Sequence, residues 1–109
     1  MLTQTLYDMT VHIEDLKTKR FKILLAVYKA TDQDSSKWCD VQKLSAQEGI
    51  KNGDFAKNYH YLMDEGLLKP FGAGYTAHIS HNGIKAIEFI ISNPTQKSEY
   101  FPSYKDMGF

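Results

Sequence analysis

Apolar residues recur along this chain in three rhythms, and each change of rhythm marks an element. Leu2, Leu6, Met9, Ile13 and Leu16 step by four and three, the spacing of one helical face and of a coiled-coil seam, and no glycine or proline precedes Gly49. The spacing predicts a helix from about Thr3 to Lys17. The repeat falters at Arg20 and resumes at Ile23, Val27 and Ala30, so the helix either bends near Thr18 or runs on into the next one. The segment from Phe21 to Ala30 is apolar on too many sides for a surface helix, which puts it at the centre of the domain. A polar loop follows, from Thr31 to Ser36.

Between Asp40 and Gly66 the helical rhythm returns twice, each time with its own punctuation. Asp40 can accept the free N–H groups of a helix starting at Val41, with Val41 and Leu44 on one face. Gly49 closes it, because a glycine after the last turn takes the left-handed conformation, and Ile50 can fold back on the apolar side. Asn52 is the next candidate cap, for a helix running to about Glu65 and closed by Gly66. Phe55, Ala56, Tyr59, Leu62 and Met63 fall on its core side, leaving Asp54, Lys57, Asn58, His60, Tyr61 and Asp64 outside.

The third rhythm is extended. Leu67 to Phe71 and Tyr75 to Ile79 flank Gly72-Ala73-Gly74, which reads as a hairpin, with Pro70 tolerable only where its missing N–H faces solvent. Ser80 then caps a last helix, His81 to Asn93, ended by Pro94. Ile84, Ile87 and Ile91 form one apolar face of it and Ala86, Phe89 and Ile90 another, an arc of roughly 220° that needs more cover than a helix packed on one side. The N-terminal helix, from the same chain or from a partner, is the unassigned surface of matching shape. The tail from Thr95 to Phe109 carries Tyr100, Phe101, Tyr104 and Phe109, too aromatic for pure disorder, and is expected to lie on the domain or on another subunit.

In this order the motifs resemble the winged-helix (winged helix-turn-helix) DNA-binding-like family. The residues are Leu44-x4-Gly49-Ile50, then Phe55-x3-Tyr59-x2-Leu62-x3-Gly66-Leu67-Leu68, the glycine hairpin, and Ile79-Ser80-x2-Gly83 opening a last helix. The likeness covers roughly residues 21–93, and Asn93-Pro94 with Phe101-Pro102 is similar to the tail of small uncharacterised prokaryotic winged-helix proteins. It implies a mostly α chain with a small β-hairpin (α+β), a winged helix-turn-helix with added N-terminal and C-terminal helices. The divisions are an N-terminal helix over 1–18, the winged-helix domain over 19–93 and an aromatic-rich tail over 94–109. Lys37-Trp38-Cys39 becomes a short first strand paired with the wing, with Trp38 packed there, and Asn52 to Glu65 becomes the recognition helix. Terminal helices build the two-fold interface of dimeric members, which implies a homodimer through Leu6, Met9, Ile13, Leu16, Phe89 and Ile90. A monomer completed by the N-terminal helix in cis is the alternative.

Composition narrows the chemistry. A chain of 109 residues suffices for one core, and 13 basic residues against 13 acidic ones give zero net charge, so binding to nucleic acid must be local. Lys57, Asn58 and Tyr61 are the candidate contacts to double-stranded DNA, since asparagine pairs bidentately with adenine while lysine and tyrosine reach bases or phosphates. Lys51, Lys69 and Arg20 support them, Arg20 within the cluster Lys17, Lys19, Arg20 and Lys22. Arg20 is the only arginine, and residues 37–69 hold as many acids as bases, which keeps a protein-interaction module without DNA binding as the second reading. The lone Cys39 excludes an internal disulfide and suits a reducing cytoplasm. The apolar run Ile23 to Tyr28 is too short for a membrane span. His12, His60, His78 and His81 lack the compact spacing of a metal site, and no nucleophile sits beside a base, so neither metal, cofactor nor enzymatic activity is expected.

Overall fold

The computed structural model describes residues 2–109, with the side chains of residues 2–5 and 7 outside the description, so the Leu2 side chain of the repeat is not described. Its elements are α1 (Leu2–Ala30), β1 (Trp38–Asp40), α2 (Val41–Gln47), α3 (Asn52–Asp64), β2 (Leu68–Pro70), β3 (Thr76–Ile79) and α4 (His81–Ser92). This is a mixed fold of four helices and one small antiparallel sheet.

The open question at Thr18 is answered by continuity: α1 runs unbroken for 29 residues. At 1.5 Å per residue such a helix is about 44 Å long, which accounts for most of the 48 Å long axis of the chain. Its two halves have different surroundings. Phe21, Ile23, Leu24, Leu25 and Val27 are buried, and α1 packs against α2, α3, α4 and β3. Each such side chain contributes about 1.5–3 kcal/mol relative to exposure. Leu6, Met9 and Ile13 on the same seam are exposed, so the first half forms an arm that does not complete the core.

The caps of α2 follow local chemistry. The Asp40 carboxylate accepts the Lys43 N–H at 3.1 Å. At the other end Gly49 (φ +77°) lets the Ile50 N–H reach the Ser45 carbonyl and its own N–H reach Ala46. The same pair of bonds recurs at the end of α3, where Gly66 (φ +72°) donates to Met63 and Leu67 to Leu62. Ile50 and Leu67 are both buried by the reversal. Asn52 departs from expectation: Lys51 is the cap position, without a side-chain bond, and Asn52 is the first helical residue.

The sheet has the order β1-β3-β2, with Trp38 opposite His78 and Lys69 opposite His78 on the other side. The first strand starts one residue later than expected and ends at Asp40. Pro70 lies on the edge strand β2, where its missing N–H breaks no ladder. Alternation sends Leu68, Ala77 and Ile79 into the core and leaves Trp38, Lys69 and Phe71 exposed on the outer face.

Ser80 caps α4, accepting the Gly83 N–H at 2.9 Å. The second apolar face of α4 is covered only in part: Ile90 is fully buried and Ala86 half-buried, with α1 packed against the helix. Phe101 is fully buried and meets Phe21 edge-on at 5.3 Å, while Tyr104 and Phe109 also close on Phe21. Ile90 is therefore core, not the dimer contact that the pattern suggested, whereas Phe89 stays exposed.

Candidate nucleic-acid interface

The outer side of α3 is less free than its sequence implies. Asn58, assigned to the exposed face, is fully buried. Its amide donates to the Asp54 carbonyl at 2.8 Å, and its side-chain oxygen accepts from the Arg20 Nε at 3.1 Å. The Arg20 guanidinium lies 3.6 Å from the centre of the Tyr61 ring, a cation–π contact over a half-buried phenol. Burial pushes that phenol up, with Glu65 adding and Arg20 opposing. Arg20, Asn58 and Tyr61 are thus one internal cluster joining α1 to α3. It also explains why the apolar repeat falters at Arg20, since that seam position meets a polar partner.

A second tie runs alongside. Lys19 donates to Asp54 at 3.1 Å and pairs with Asp15 at 2.9 Å, and Lys57 reaches Asp54 at 3.5 Å. Hydrogen bonding from Lys19, then its charge, holds the Asp54 carboxyl below the usual carboxylate range. The bonds to Asp15 and Asp54 push the Lys19 ammonium up in turn. The cationic cluster of Lys17 to Lys22 is therefore divided: Lys19 and Arg20 are engaged within the chain. Lys51, Lys57 and Lys69 remain exposed, and Lys57 is the only one of the three in an ion pair among the described residues.

Two further surfaces stand open. A groove of about 510 Å³ between α4 and the tail is lined by Lys85, Ala86, Phe89 and Tyr100. On the sheet, Trp38 does pack, but outside: its ring stacks on Phe71 at 5.0 Å and 16° while staying 55 % exposed. The alternation of Trp38-Cys39-Asp40 and Lys69-Pro70-Phe71 carries a signal for this pairing, but only once the strand register is known. Cys39 points inward, where burial pushes its thiol up and keeps it protonated.

Among the described residues no three His, Cys, Asp or Glu side chains converge as a metal site, and no helix is long and apolar enough to cross a membrane. Comparison with family models, with curated proteins and with solved structures returns no match.

Proposed function

We propose that the chain is a winged-helix, transcription-regulator-like module that contacts double-stranded DNA through the exposed side of α3 and the β2–β3 hairpin. The observation that carries this reading is the order of elements. Two short helices joined by a glycine turn are followed by a hairpin whose inner strand also pairs with β1. With Asn58 buried and Tyr61 covered by Arg20, the groups left to meet DNA are lysines. Lysines meet phosphates and position a protein on the duplex without reading its sequence. The binding is accordingly weak in sequence preference and strong in salt dependence.

Three phosphate contacts from Lys51, Lys57 and Lys69 correspond to a slope of log K on log salt of about −2.7. Lys57→Glu lowers affinity for a blunt duplex and flattens that slope by about one. Fluorescence anisotropy of a labelled duplex over a salt series measures both, and a flat salt response in the parent chain would remove the reading.

The exposed arm of α1 favours a second activity, protein interaction, with another copy of the chain as the partner. Leu6, Met9 and Ile13 present an exposed apolar stripe on the half of α1 that lies outside the core, and two such stripes can bury each other as a two-stranded seam. Sedimentation velocity of the parent chain then shows a dimer, and Ile13→Glu converts it to a monomer that keeps its helix content. A parent chain that sediments as a monomer at high micromolar concentration excludes the seam.

A further inference from the structure

The outer face of the sheet carries an aromatic surface of which the duplex reading above uses only Lys69. Trp38, His78 and Lys69 form one cross-strand row, and Phe71 lies two positions beyond Lys69 on the same side. The Phe71 ring is held between two others: it stacks on Trp38 and meets His78 edge-on at 4.9 Å and 81°. His78 is fixed in turn, because its Nδ1 lies 2.9 Å from the Lys37 carbonyl, which can only accept, so Nδ1 is the donor. The result is a preorganised aromatic stack on an open face, with Trp38 55 % and Phe71 40 % exposed.

The charges around it point to the chemistry of its partner. Lys37 and Lys69 are exposed and neither is in an ion pair among the described residues. The nearby acids are pinned: Asp40 accepts the Lys43 N–H at the start of α2, and Asp34 accepts both the N–H and the hydroxyl of Ser36. Along the strands the face carries Trp38, His78, Lys69 and Phe71, with Thr76 and the helix-capping carboxylate of Asp40 at one end and no aliphatic side chain, which suits a flat π system carrying phosphates better than an apolar protein surface. A duplex hides the faces of its bases within its own stack, so the ligand that fits is single-stranded.

We propose that the Trp38–Phe71 stack takes an unpaired nucleobase of a single-stranded nucleic acid, with the adjoining phosphates met by Lys37 and Lys69. This site shares Lys69 with the duplex reading, but it lies off α3 and does not rest on duplex binding.

Trp38 is the sole tryptophan, so its emission reports the site directly. The full chain is titrated with a short oligothymidylate, with an abasic phosphodiester strand of the same length, and with a blunt duplex. Saturable quenching by the oligothymidylate, absent with the abasic strand, is the expected result. Phe71→Ala weakens it by about tenfold, the loss typical of one base–aromatic contact. Phe71 is exposed, so the variant is expected to keep its fold, which far-ultraviolet circular dichroism checks. Anisotropy of a labelled oligothymidylate gives a second readout, in which Trp38→Phe retains binding and Trp38→Ala loses it.

Three outcomes overturn the proposal: no quenching, equal quenching by the abasic strand, or an emission change that follows protein concentration without any oligonucleotide. The last would mean that a second copy covers the face. The α3 reading is tested on Lys57 with a duplex and this one on Phe71 with a single strand, so either can fail alone.

Discussion

Gly83→Ala lowers the melting temperature by about 15 °C or prevents folding, the consequence of a loss near 3 kcal/mol in a domain of this size. The reason is a close approach between the first turn of α4 and the end of α3. Ser80 donates its hydroxyl to the Gly66 carbonyl and its N–H to Leu67, while accepting the Gly83 N–H. These bonds clamp the start of α4 over the Gly66–Leu67 reversal. A Cβ at position 83 would lie 2.2 Å from the Leu67 carbonyl oxygen and 2.9 Å from the Ile79 side chain. The first neighbour is backbone within the reversal and cannot swing aside, so α4 must move and give up the Ser80 bonds. Gly53→Ala is the matched control, since a Cβ there meets nothing within 4 Å, and alanine is the better helix former by about 1 kcal/mol. Thermal denaturation followed by circular dichroism decides the matter. A Gly83→Ala protein melting within about 3 °C of the parent, a shift worth well under 1 kcal/mol, would contradict the clamp.

Phe101→Ala costs about 3–5 kcal/mol, the usual loss for emptying a buried phenylalanine site, and it frees the tail. Phe101 is fully buried although it lies in a segment without helix or strand. Its loop is held locally: the Ser98 hydroxyl accepts the N–H groups of Tyr100 and Phe101, and the Ser98 N–H donates to the Phe101 carbonyl. Further along, the Lys105 N–H donates to the Pro94 carbonyl at 2.9 Å, which folds the tail back towards the end of α4. Removing the ring takes away the fully buried one of three edge-on partners of Phe21 and leaves a cavity beside α1 under the tail. Limited proteolysis should then cut between residues 95 and 109 in the variant well before it cuts the parent, alongside the lower melting temperature. Phe109, about half exposed, is the contrast: its replacement by alanine should cost under about 1 kcal/mol. Equal protease resistance in the parent and Phe101→Ala would show that the tail is held by its own hydrogen bonds.

These two positions also show how the sequence relates to the fold. Gly83 is legible as a residue near the start of a helix, and Phe101 as an aromatic in a tail expected to pack. Neither reading contains the reason each is critical, because Leu67 and Phe21 lie far away along the chain. The same division runs through the candidate interface. Lys51, Lys57 and Lys69 sit outside as their polarity suggests, but Asn58 and Tyr61 do not, because Arg20 arrives from a helix 38 positions upstream of Asn58 and binds both.

What the sequence by itself determined is the set of elements and those ends that carry a local cap, while the continuity of α1 and the cap of α3 were not among them. Asp40 and Ser80 cap the helices that follow them, and Gly49 and Gly66 close theirs, because such choices depend on chemistry within a few residues. The tertiary structure alone decided which polar side chains lose their solvent, which half of α1 is covered, and that Trp38 ends on an open face. Those outcomes depend on which surfaces meet across long separations, and an asparagine or a tryptophan is compatible with either side until its neighbour is in place.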